Sequence, residues 1–148
     1  MRKRALFVLV TLAMLAACQE PEPQDVVGVT IHLNDIHYDL ETIEVAAGDL
    51  LVLTVINQGA LDHDFVIDEL PTKDPPHVHT MEEAGTEHDH SNMERIPGEP
   101  ALHIGAAPGT ISTATLTPTE PGRYSFYCSV AGHREAGMEG VLIVTEGD

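Results

Sequence analysis

Past its first four residues the chain has only four basic side chains, Lys73, Arg95, Arg123 and Arg134, and in all it has two cysteines and no tryptophan. Each shortage excludes something. Four scattered cations cannot build the clustered Lys and Arg surface that a phosphate backbone requires, so nucleic acid is excluded as a partner. Aromatic residues make up 4 % of the sequence, and no stretch carries a helical stripe of apolar residues. At 148 residues the chain accommodates one domain of ordinary size, roughly 100 to 200 residues, which leaves no room for a separate catalytic domain. What is present is acid and punctuation: 24 Asp and Glu against 7 Lys and Arg, a formal charge of -17, 12 Gly and 10 Pro, with 43 % hydrophobic residues. That balance suits a compact fold with many turns better than a disordered chain.

The N-terminus reads as an export signal. Met1-Arg2-Lys3-Arg4 is a basic start, and Ala5 to Ala17 is an apolar run well short of the ~20 residues that span a bilayer. Its end, Leu15-Ala16-Ala17-Cys18, resembles a bacterial lipobox, which implies acylation of Cys18 and a membrane-anchored lipoprotein with residues 1–17 removed. The alternative is a secreted protein cut by ordinary signal peptidase, and a cut at that point would put bulky Leu15 where a small residue is preferred. Residues 18–25, with Pro21 and Pro23, read as a stiff acidic tether. Losing the signal removes three basic residues and no acidic ones, which takes the charge from -17 to -20.

With Cys18 lipidated, Cys128 is the only thiol left in an exported domain, and an intramolecular disulfide is impossible. A lone thiol in an oxidising compartment is either a buried small hydrophobe or occupied by something. From Val26 onward the pattern is that of strands. Val27, Val29, Ile31 and Leu33 alternate with smaller or polar residues; Ile43 and Val45 precede an Ala-Ala-Gly-Asp turn; Leu50 to Ile56 is β-branched and apolar. His63 to Ile67, Ile111 to Leu116, Tyr124 to Cys128 and Val141 to Val144 complete seven or eight short strands, the signature of an all-β antiparallel sandwich or barrel over residues 26–148.

Cys128, His133 and Met138 recur at intervals of five, C-x4-H-x4-M, on the loop between the last two strands. A thiolate, an imidazole and a thioether form a soft donor set that favours copper over magnesium, calcium or manganese. A second imidazole is required, and Asn57-Gln58-Gly59-Ala60-Leu61-Asp62-His63 offers one on the turn into a strand.

In these segments the chain resembles the cupredoxins, the blue-copper family of Greek-key β-sandwiches. The likeness starts at Tyr38 to Gly48, continues from Asp49 to Phe65, and ends with Pro121-Gly122-Arg123-Tyr124 through Val144. It implies one type 1 copper, with His63, Cys128 and His133 as trigonal ligands and Met138 as the weak axial ligand. It also implies that Cys128 is buried with backbone N–H groups around its sulfur, and that the ring edge of His133 reaches the surface as the electron port.

Two features depart from the pattern. Many cupredoxins carry Asn after the first His ligand, where this chain has Asp64. The carboxylate is expected to accept a hydrogen bond from the Ser129 hydroxyl, and an anion so close to the thiolate should favour Cu(II) and lower the reduction potential. The second departure is an insertion at about residues 71–100, rich in proline and carrying His77, His79, Met81, His88, His90 and Met93. H-x-H-x-M and H-x-H-x-x-M offer donors for a second copper or a zinc; the competing expectation is a solvated loop that binds nothing. His32, His37 and His103 have no partner spacing and read as structural or surface residues.

The functional expectation is a monomeric, exported, periplasmic or cell-surface electron carrier on a lipid anchor. Four protein ligands leave no open position for a substrate, so an enzyme is not expected. The acidic surface favours redox partners with a basic docking face. The alternative is a copper delivery or storage module that uses the His/Met-rich insertion.

Overall fold

The structure, a computed structural model, describes residues 24–81, 87–89 and 98–147. The export signal, Cys18 and most of the tether lie outside the described residues, as do His90 and Met93. The first half of the chain supplies β1 (Val26–Asn34), β2 (His37–Tyr38), β3 (Thr42–Ala46), β4 (Leu50–Asn57) and β5 (His63–Ile67). The insertion contributes β6 (His77–Met81) and β7 (Glu87–Asp89). The C-terminal half adds β8 (Leu102–Ala106), β9 (Ile111–Leu116), β10 (Gly122–Tyr127) and β11 (Glu139–Thr145).

These strands form two facing sheets, ordered β2-β1-β4-β9-β6-β7 and β3-β11-β10-β5-β8. Setting aside the two-residue β2 and the inserted β6 and β7 leaves eight strands of an all-β sandwich, as the alternation predicts. Two pairings run parallel, β1 with β4 from Val26↔Leu50 to Leu33↔Asn57, and β3 with β11. The rest are antiparallel. Alternation within one strand reveals its wet face and does not reveal its neighbour's direction.

The core fills the space between the sheets. β4 alternates strictly, with Leu51, Leu53 and Val55 buried and their neighbours half-buried. From the other sheet come Ile43, Val45, Phe65, Ile67, Ile104, Phe126, Leu142 and Val144, all buried. Tyr38, Phe65 and Phe126 form an aromatic cluster at the centre: Phe65 and Phe126 stack at 4.7 Å, and Tyr38 meets both edge-on at 5.9 and 5.4 Å. Such pairs add about 0.5–1.5 kcal/mol each beyond the area they bury. β5 is buried along its whole length, which fixes His63 and Asp64 against rigid neighbours on both sides.

Candidate metal centre

His63 arrives on a turn that Asn57 holds. The Asn57 side chain is 1 % exposed, yet every polar atom on it is used: its Nδ2 donates to the carbonyls of Leu61 and Ala106 at 2.8 Å each, and its Oδ1 accepts from Gly59 N–H at 2.9 Å. The amide thus ties residues 57–61 to β8 and sets where β5 begins. Tyr38 secures the next residue by donating its hydroxyl to the Asp64 carbonyl at 2.6 Å. Its burial pushes the phenol pKa far up, so the hydroxyl stays a donor.

The other three donors come from one loop closed on itself. Cys128 N–H donates to the Met138 carbonyl at 3.0 Å, and Met138 N–H donates to the His133 carbonyl at 3.0 Å. Two glycines in left-handed conformations, Gly132 (φ 86°) and Gly137 (φ 100°), directly precede His133 and Met138. A side chain at either position would be strained. The loop therefore turns back twice, each time placing a donor.

Cys128 Sγ lies 3.9 Å from His63 Nδ1 and 3.5 Å from His133 Nδ1, and the three donor atoms fall within 4.8 Å of one another. Donors that each sit about 2.0 to 2.3 Å from a shared ion in tetrahedral or trigonal geometry are about 3.5 to 4 Å apart. The spacing fits one small metal ion. The two imidazole rings are 4.9 Å apart and tilted by 48°. Met138 is fully buried, as is Cys128, while His63 and His133 keep 3 % and 8 % of their surface. His133 is the most accessible of the four.

The electrostatics suit ligation. Burial lowers the His63 pKa, and the neighbouring His133 lowers it further, which keeps the imidazole neutral and able to ligate. Burial pushes the Cys128 thiol up, while the backbone N–H groups of Asp64 and Val130 act in the opposite direction, favouring the thiolate. A buried thiol of this kind gives up its proton when a metal binds.

Asp64 links the two halves of the site. Its Oδ1 accepts the Ser129 N–H at 2.6 Å and its Oδ2 accepts the Ser129 hydroxyl. Burial alone would raise this carboxyl, but hydrogen bonds from His103 and Ser129 outweigh it and hold the pKa down to about 2. His103 reads from the sequence as a structural or surface residue, with no spacing that names a partner. Its Nε2 instead lies 3.1 Å from Asp64 Oδ2, and that contact raises the imidazole's pKa. The pair meets diagonally across the β5–β8 ladder, in which Val66 faces His103 and Asp64 faces Gly105. No spacing within the sequence announces such a contact. His37 is exposed on β2, and His32 is half-buried on β1.

The insertion is not a plain loop. His77, His79 and Met81 fall on β6, paired with β9. They are exposed, whereas the four donors of the centre are buried.

The chain resembles known proteins in family pattern, in sequence and in fold. A sequence model of copper binding proteins, plastocyanin/azurin family, matches residues 26–145. The copper-resistant cuproprotein CopI of Pseudomonas aeruginosa is 27 % identical over 136 residues, 79 % of this chain and 75 % of that protein. The protein of the same name from Rubrivivax gelatinosus is 29 % identical over 112 residues, 74 % of this chain and 60 % of that one. The fold is shared with dithionite-reduced auracyanin from Roseiflexus castenholzii (TM-score 0.56, 23 % identity, 80 % of this chain and 96 % of that one). It is shared as well with auracyanin A from Chloroflexus aurantiacus (TM-score 0.57, 19 % identity, 81 % and 99 %).

Proposed function

Because the chain belongs to the plastocyanin/azurin family of copper-binding proteins, we propose that it carries single electrons outside the cytoplasm through the centre built from His63, Cys128, His133 and Met138. The observation that carries this is the position of Cys128 Sγ, fully buried at 3.5 and 3.9 Å from two imidazole nitrogens that strands and loop already hold in place. Copper bound there supplies a one-electron couple. The residues contribute rigidity: Asn57 fixes the turn before His63, the hydrogen bonds between Cys128, His133 and Met138 close the loop, and Asp64 joins the two. Donors preset in this way need little rearrangement when the charge of the centre changes. Four donors in a buried site leave no open coordination position for a substrate, which supports a carrier over an enzyme.

The basic-then-apolar start and Leu15-Ala16-Ala17-Cys18 support export and a lipid anchor at Cys18. The acidic surface supports a basic partner, met by the protein as a monomer. Electrochemistry of the copper-loaded protein tests the carrier role: fast, reversible, one-electron cycling is expected, and copper that is lost on reduction contradicts it. Mass spectrometry of the mature N-terminus tests the anchor, with a diacylated Cys18 expected and an unmodified residue opposing it.

A second reading, copper handling, draws support from the names of the two relatives, copper-resistant cuproproteins, and from the exposed His and Met side chains of β6. Under that reading the reduced protein passes Cu(I) to a chelator or acceptor protein within minutes; a carrier retains it.

A further inference from the structure

β6, His77-Val78-His79-Thr80-Met81, shows two faces of opposite character. Val78 packs against the hydrophobic core, and Thr80 accepts a hydrogen bond from the buried Ser112 hydroxyl at 3.1 Å. Those two contacts fix the register, because a slip by one residue would turn both inward-facing side chains out. The remaining three residues, His77, His79 and Met81, are therefore held together on the outer face, and all three are exposed.

Met81 is 63 % exposed, one of the most exposed large apolar side chains among the described residues, and it gains little from burial where it stands. Residues two apart on one face of a strand are about 6.6 Å apart, a spacing from which two long imidazoles can converge on one ion. Across the ladder, His77 faces Thr115, His79 faces Thr113 and Met81 faces Ile111, so β9 brings no cation to compete. The chain's net charge of -17 attracts cations to the surface. On its other edge β6 pairs with β7, whose register sets Asp89 opposite His79 and Glu87 opposite Met81; the soft thioether and the two imidazoles are the donors that suit Cu(I) over a hard divalent ion.

We propose that His77, His79 and Met81 form a second, solvent-facing copper site on the outer face of β6, with a preference for Cu(I). It differs from the buried centre in having no thiolate and in being open to solvent, so its metal exchanges freely while the buried copper does not. This site stands on its own geometry, whichever role the buried centre plays.

The test is an anaerobic titration of the full chain with Cu(I) against a chromophoric chelator, followed by oxidation and a visible spectrum. Two equivalents of Cu(I) per chain are expected, one surrendered to the chelator well before the other. His77→Ala/His79→Ala should bind one equivalent, and an unchanged visible band after oxidation shows that the fold and the buried centre are intact. Met81→Leu should weaken the exposed equivalent for Cu(I) while leaving Zn(II) binding by the two histidines unaltered. A single equivalent in the unmodified chain overturns the proposal, as do two equivalents in the double variant or a Met81→Leu variant that holds Cu(I) as well as the parent.

Discussion

Ser129 and Asp64, 65 residues apart in the chain, are joined by two hydrogen bonds, from the serine N–H to Oδ1 and from its hydroxyl to Oδ2. One carboxylate thereby fastens the strand that delivers His63 to the loop that delivers Cys128. It is also ionised, its pKa held down to about 2, and it places a negative charge beside the thiolate.

Replacing Asp64 with Asn keeps an acceptor for the Ser129 N–H and removes the charge. Cu(II) loses more stabilisation than Cu(I), so the reduction potential should rise, by about 60 mV for each tenfold change in a one-electron equilibrium. Voltammetry of Asp64→Asn beside the parent measures this directly. An unchanged or lower potential removes the charge argument.

The His103–Asp64 pair gives the metal-free protein a pH signature. The Asp64 carboxylate raises the His103 pKa, so the imidazole's contribution is full below its unfolded value near 6.5 and is lost as pH rises through the higher folded value. Asp64 is shifted the other way; its contribution is present above about 4 and is lost as pH falls toward 2. His103→Gln should therefore lower the melting temperature most at about pH 5 and least at about pH 9. A melting difference that is the same at both values would show that the pair adds nothing to folding.

Gly137, at φ 100°, turns the chain immediately before Met138. A side chain there imposes backbone strain of about 1–3 kcal/mol. Gly137→Ala should lower the denaturant midpoint accordingly and shift the visible spectrum of the copper form, because the thioether moves with the turn. A variant with the parent's midpoint and spectrum would show that the turn tolerates an ordinary residue.

Surface charge governs encounter. With -17 on the full chain, electron exchange with a cationic redox protein should slow as ionic strength rises, and exchange with an anionic one should quicken. Stopped-flow rates across a salt series distinguish these, and rates indifferent to salt would dissociate the acidity from partner choice.

Much of this was legible before the fold was known. Strands β5 and β9 coincide residue for residue with runs visible in the sequence, because a β-branched or apolar run between turn residues is a local pattern. The copper donors were legible for a different reason: three of them lie on one short loop at fixed intervals, and the fourth follows an Asn-led turn. What escaped depends on register between distant strands. His103 finds Asp64 only through the β5–β8 ladder, and the parallel pairing of β1 with β4 leaves no mark in either strand. β6 was hidden because His-Val-His-Thr-Met holds too few apolar residues to register as a strand, although the same five residues place three donors on one face. Tyr38, at the centre of the aromatic cluster, carries no signal of its bond to the Asp64 carbonyl.

The most direct test is a reductive titration of the copper-loaded chain, followed by its visible absorption, beside Cys128→Ser. An intense thiolate-to-copper band is expected, bleached by one electron per chain, restored on reoxidation and missing from the serine variant. A band that survives Cys128→Ser, or copper that cannot be reduced and reoxidised in place, would contradict a single-electron centre at His63, Cys128, His133 and Met138.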